Sequence, residues 1–154
     1  MKKDSEIKEL TRKQAIGLLK KNKCSRGVIA HCIAVSKEAV RIAKKIRKNI
    51  PNVDLNFIET ASILHDIGRG RTQGILHGIE GSKILKQLPK YARVCRRHIG
   101  AGIDKKEAKK LGLPRGDYMP KTLEEKIIAH ADNTVEGGRI VSIEKTIKAG
   151  NDNK

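Results

Sequence analysis

The stretch Ala61–Gly81, ASILHDIGRGRTQGILHGIEG, decides how this chain is read. An apolar run ends in the pair His65-Asp66, and Gly68, Gly70 and Gly74 follow with Arg69 and Arg71 between them. An imidazole beside a carboxylate suits metal ligation. Arginines directly after such a pair are placed to meet phosphate oxygens, which a guanidinium can grip bidentately. The glycines would let the backbone come close to a ligand. They form no dinucleotide-binding fingerprint, because the segment before them has the pattern of a helix and not of a strand.

Outward from this stretch the pattern stays helical. Asp54 is placed to cap a helix through Phe57, Ile58, Ala61 and Leu64 to His65-Asp66, ended by Gly68 and Gly70 and followed by about ten residues of loop, after Pro51 has broken the helix before. That earlier helix runs from about Arg26 to Lys48, with Ser25 as its cap and Ile29, Cys32, Ile33, Ala39, Val40, Ala43 and Ile46 at helical spacing. One or two short helices precede it over 6–22, with Thr11 as a cap. On the C-terminal side a helix is expected from His77 to Leu88, stopped by Pro89. Another covers Tyr91 to Gly100, and a short one after Asp104 reaches Leu111. Residues 112–120, with two prolines and two glycines, read as loop. Thr122 and Glu125 form a capping box for a helix through Ile127, Ile128 and Ala131 to Asp132. Gly137-Gly138 then interrupts, and Ile140, Ile143 and Ile147 suggest a last amphipathic turn or two. No stretch alternates as a strand would. The expected class is all-α, a compact multi-helix bundle.

A chain of 154 residues fits one domain with a core of its own. Cys24, Cys32 and Cys95 make an odd count without CxxC spacing, which argues for buried thiols in a reducing compartment. With neither a signal-like leader nor a membrane-length apolar run, a cytoplasmic location is expected. The net charge of +17, from 34 basic and 17 acidic residues, predicts attraction to phosphates on nucleotides or on nucleic acid. With Phe57, Tyr91 and Tyr118 as the whole aromatic complement, a platform that stacks single-stranded bases is not expected.

In the helical reading His31, His65-Asp66, His77, His98 and Asp132 come from separate helices, each bringing one or two donors, which is how bundle cores build metal sites. Nitrogen and oxygen donors of this kind suit manganese, iron, nickel, cobalt, zinc or magnesium. His130, two residues from Asp132 on one helix, faces elsewhere and reads as packing or support. Cys95, three before His98, reads as a buried thiol beside a ligand. Lys105, Lys106, Lys109 and Lys110 read as a solvated face or as a polyanion contact.

The ordered set of His31, His65-Asp66 within HDIG, and Asp132 within HADNTV resembles the HD superfamily of metal-dependent phosphohydrolases, an all-helical family, over about Arg26 to Val141. The resemblance implies that His31, His65, Asp66 and Asp132 hold a first divalent ion. It also implies that His77 and His98 serve a second where two are bound, with Asp66 bridging. It places Arg69 ahead of Arg71 as the basic residue that meets substrate phosphate, and gives Asp66 and Arg69 the catalytic roles. The expected activity is hydrolysis of a nucleotide-like phosphate mono- or diester through a metal-bridging water. A phosphodiesterase acting on RNA or cyclic phosphates, or a non-catalytic nucleotide- or RNA-binding module, are the alternatives. The expected partner is a small phosphorylated substrate, with nucleic acid open from the charge and no membrane.

Overall fold

Side-chain caps start most of the helices. Thr11, Ser25, Asp54, Asp104 and Thr122 each accept a hydrogen bond from the backbone N–H three residues on, satisfying donors that a helix start leaves unpaired. The computed structural model describes residues 9–99, 102–136 and 139–140. Its helices are α1 (Arg12–Lys21), α2 (Arg26–Arg47), α3 (Leu55–Leu64), α4 (His77–Ile84), α5 (Pro89–Arg97), α6 (Lys105–Lys110) and α7 (Leu123–Thr134), with a 3-10 turn over Ile67–Gly70. Thr11 with Gln14 and Thr122 with Glu125 close reciprocal capping boxes.

The centre of the bundle is α3. Phe57, Ile58, Thr60, Ala61, Ser62, Ile63 and Leu64 are all buried, so the C-terminal half of this helix is enclosed all round. Its two hydroxyls are satisfied within the helix, Thr60 donating to the Asn56 carbonyl at 2.9 Å and Ser62 to that of Ile58. Helix α2 packs along α3 through Cys32, Val35, Ala39 and Ala43, one stripe at helical spacing, while α1 and α7 cover other sides. Helix α4 lies against α5 and the 3-10 turn. Ile79, Ile103, Ala108 and Tyr118 form a second, smaller core, where the Ile103 N–H donates to the Tyr118 carbonyl at 3.2 Å.

Three boundaries differ from the sequence reading. Helix α4 ends at Ile84 and not at Leu88, and Pro89 does not stop it but begins α5, at a position where its missing N–H costs nothing. Helix α3 ends at Leu64 with His65 as its C-cap, and the chain tightens into the 3-10 turn before any loop begins. After α7 the chain turns extended, and Val135–Glu136 pairs antiparallel with Arg139–Ile140. The last amphipathic turn expected at Ile143 and Ile147, and the part of the first helix before residue 9, lie outside the described residues. Among the described residues no helix is long and apolar enough to cross a membrane.

Candidate metal centre

The C-terminal end of α3 presents His65 and Asp66 to the interior, with side chains 0% and 4% exposed. Around them the fold gathers His31 from the second turn of α2, Asp132 from the last turn of α7, His77 from the start of α4 and His98 from the end of α5. All six residues named from the sequence thus meet, in two groups that share Asp66. His31, His65, Asp66 and Asp132 place one donor atom each within 4.8 Å of one another, and so do Asp66, His77 and His98.

The carboxylate of Asp66 divides its oxygens between the groups. Oδ2 lies 3.4 Å from His31 Nε2 and 3.5 Å from His65 Nε2. Oδ1 lies 3.2 Å from His77 Nε2 and 3.1 Å from His98 Nε2. Asp132 Oδ1 closes the first group, 2.9 Å from His31 Nε2 and 3.2 Å from His65 Nε2.

Backbone carbonyls set the direction of three rings. Nδ1 of His65, His77 and His98 faces the carbonyl oxygen three residues back, that of Ser62, of Gly74 at 2.8 Å and of Cys95 at 2.7 Å. A carbonyl oxygen only accepts, so each Nδ1 carries a proton and Nε2 is the atom left to face the cluster. Outer contacts of this kind orient metal-binding imidazoles. The Nε2 atoms of His77 and His98 are 3.1 Å apart, and both face Asp66 Oδ1. That oxygen is buried and has no hydrogen bond of acceptable geometry despite the short distances. Two imidazole nitrogens and a carboxylate oxygen converging this closely fit a cation held between them, and nitrogen and oxygen donors suit a divalent one.

Charge coupling within the cluster is strong. Burial works against the charged form of His65, but Asp66 and Asp132 outweigh it and hold the imidazole well above its ordinary range. Burial likewise opposes the Asp66 and Asp132 carboxylates, yet the surrounding imidazoles, His65 foremost, keep both below the usual range. Burial pushes the Cys95 thiol up to about 12. With its Sγ donating to the Leu64 carbonyl at 3.3 Å, Cys95 is a neutral packing group and not a thiolate ligand. Cys24 and Cys32 are buried as well, as expected of all three.

The two arginines part company. Arg69 reaches Asp66 Oδ2 through Nε at 3.2 Å and also donates to the Gln73 carbonyl at 3.2 Å, so it stands at the rim of the cluster. Arg71 is half exposed and pairs loosely with Glu80 at 3.7 Å. The glycines serve a purpose other than ligand approach. A Cβ on Gly68 would sit 1.8 Å from the His77 carbonyl oxygen, and one on Gly70 would sit 2.0 Å from that of Asn22. Their bareness is what lets α4 and the end of α1 close on the 3-10 turn.

Some supports were not read from the sequence. Arg97 Nη1 donates to both oxygens of buried Glu125, at 3.0 and 3.1 Å, clamping α5, which ends in His98, to α7, which carries Asp132. Glu125 was visible only as half of a capping box. The carbonyls of Ser62, Gly74 and Cys95 leave a trace that could have been found, since each stands three residues before a histidine at a helix end.

The HD domain family matches residues 28–136, and the matched segment carries all six residues of the cluster. The chain belongs to the HD domain family. It is thereby placed in the superfamily of metal-dependent phosphohydrolases. Relatives of this HD chain include an uncharacterised protein of Methanocaldococcus jannaschii, 49% identical over 138 residues, covering 88% of this chain and 81% of that one. Two proteins named tRNA (cytidine(56)-2'-O)-methyltransferase also match. The one from Thermoplasma volcanium is 40% identical and the one from Picrophilus torridus 42%, each over 135 residues. In both cases the match covers 86% of this chain and 38% of the relative, so the HD chain corresponds to well under half of those proteins. No solved structure gives a significant match.

Proposed function

We propose that this HD protein hydrolyses a phosphate mono- or diester of a nucleotide-like substrate with the help of divalent metal. The observation that carries the reading is the Asp66 carboxylate, with one oxygen turned to His31 and His65 and the other to His77 and His98. His31, His65, Asp132 and Oδ2 of Asp66 would hold one ion; His77, His98 and Oδ1 would hold the second. When bound, such a pair supplies Lewis acidity, which makes water a competent nucleophile at neutral pH and offsets charge on the phosphoryl oxygens.

The rest is the work of the chain. Four imidazoles, which ligate metal in their neutral form, would bind without adding negative charge, so the centre would not repel an anionic ester, while two carboxylates supply enough charge to retain a cation. Asp66, held ionised by its neighbours, is suited to bridging. Arg69, 31% exposed and only singly bonded to Asp66, can exchange that contact for a non-bridging phosphate oxygen and orient the ester.

The test is elemental analysis of protein purified without chelator, followed by a screen of phosphomono- and diesters with the metals found. Two equivalents per chain are expected. Asp66→Ala should remove both the metal and at least about a thousandfold of turnover, with the helical circular dichroism signal unchanged. Turnover that survives in the metal-free variant sinks the reading.

A second reading is a phosphodiesterase that acts on RNA. It is favoured by the net charge of +17 and by the two relatives named as tRNA methyltransferases, in which an HD segment like this one accompanies an RNA-modifying activity. Turnover of short RNA that falls steeply with salt, set against salt-insensitive turnover of mononucleotides, separates the two readings.

A further inference from the structure

A groove of about 780 Å³, whose lining holds none of the six residues of the metal centre, runs between the end of α1, the loop after the 3-10 turn, the C-terminal end of α4 and α5. Five cations line it, Lys21, Arg71, Lys83, Lys86 and Arg96, and no carboxylate is in the lining. Glu80 stands nearby, paired with Lys83 at 3.1 Å and with Arg71 at 3.7 Å, so one acid faces two of the five. Arg96 is partly buried, and its Nε has no hydrogen-bond partner. Lys83 lies in the last turn of α4, and Lys86 follows in the turn just beyond its C-cap Leu85.

The groove exists because of Gly70. Its bare Cα lets the loop press against the Asn22 carbonyl and so brings Arg71 to the C-terminal end of α1, beside Lys21. Arg69 and Arg71, two residues apart, then serve different surfaces, the first on Asp66 and the second in the groove. One loop is thus a wall of both.

We propose that this groove binds the phosphodiester backbone of RNA. The occupant follows from the lining. Cations drawn from four separate elements along one cleft suit an extended polyanion better than a compact nucleotide, whose charges sit in one place. Recognition is through the backbone and not the bases, because Phe57, Tyr91 and Tyr118 are all buried and none is available for stacking. The groove rests on the RNA reading of the function for its ligand, but it does not depend on hydrolysis.

The experiment measures binding alone. Fluorescence anisotropy with a labelled, mixed-sequence RNA hairpin bearing a single-stranded tail is recorded on the full chain, in chelator, over a series of salt concentrations. The triple variant Lys21→Glu, Lys83→Glu, Lys86→Glu is compared with Lys106→Glu, Lys109→Glu, Lys110→Glu on α6, which changes the net charge equally. The groove variant should lose at least tenfold in affinity, and its log–log salt slope should fall by about 2, at roughly 0.7 for each lost single-strand contact. The α6 variant should lose less than threefold. Equal losses in both variants would assign the effect to bulk charge and overturn the proposal. So would a larger loss in the α6 variant, displacement of the RNA by equimolar tripolyphosphate, or binding to anionic phosphatidylserine vesicles with none to RNA. Should the triple variant not fold, Lys83→Ala with Lys86→Ala, both exposed, reads the same contrast. Because chelator is present throughout, failure of the hydrolase reading leaves this result standing.

Discussion

At the scale of the residue, protons and metal compete for the same atoms. In the metal-free protein His65 is held charged by Asp66 and Asp132, although its burial opposes this. Its folded value lies above the ordinary 6.5, so its contribution to stability is full below that pH and is lost as pH rises through the folded value. Asp66 and Asp132 behave oppositely: their folded values lie below the ordinary 3.8, and their contribution is present above it and lost as pH falls through the folded values. Metal needs neutral imidazole, so metal binding releases protons and tightens as pH rises. Thermal melts at a series of pH values above about 6.5 should therefore show chelator-treated protein losing stability with rising pH, in the direction that the linkage sets. Added manganese or zinc should restore the midpoint, and restore more of it at high pH than at low. A chelator curve flat in pH, or a metal effect that shrinks as pH rises, would contradict this competition.

At the scale of the element, the centre is held by close approach. The turn Ile67–Gly70 meets α4 where a Cβ on Gly68 would overlap the His77 carbonyl oxygen, at 1.8 Å, and backbone cannot yield as a flexible side chain can. Gly68→Ala should push α4 away and carry His77 with it, while His31, His65 and Asp132, on α2, α3 and α7, keep their places. The expected result is a destabilisation of about 1–3 kcal/mol, the usual cost of overpacking, with metal content falling from two equivalents towards one. Thermal melts and elemental analysis of the same sample would show both. The sequence carried the caps plainly, since Ser25, Asp54, Asp104 and Thr122 act through their own local chemistry. It also carried the donor set, because HDIG and HADNTV are local strings whose order resembles a known family. It did not carry Gly68, whose reason for being glycine is the carbonyl of a residue on another element. Nor did it carry Arg97, whose partner Glu125 lies 28 positions away. Pro89 shows the same limit, for a proline marks a boundary without saying on which side the next helix begins.

At the scale of the whole molecule, charge is the dominant unsatisfied quantity. With 34 basic against 17 acidic residues, most cations have no acid to pair with, and several of the acids are already committed. Asp66 and Asp132 belong to the metal centre, Glu125 to Arg97, and buried Glu38 to Arg41, which donates to it through Nε at 3.0 and 3.1 Å. Folding brings the remaining like charges together, and this repulsion works against the compact state. It is long-ranged and mostly at the surface, so salt should reduce it, the screening length falling from about 30 Å at 0.01 M to about 8 Å at 0.15 M. Relief of about 1 kcal/mol would raise the melting midpoint by roughly 2–4 °C for a chain of this size. Sodium chloride should produce that rise whether or not metal is bound, since the buried centre is screened little. The charge-reversed groove and α6 variants should each show a smaller rise, having shed the same number of positive charges. A scan of melting midpoint against salt over these proteins, with and without chelator, is the measurement. A midpoint that falls with salt would mean that surface ion pairs, such as Lys83 with Glu80, outweigh the excess charge. The basic surface would then be balanced within the folded protein instead of being left available to a polyanion.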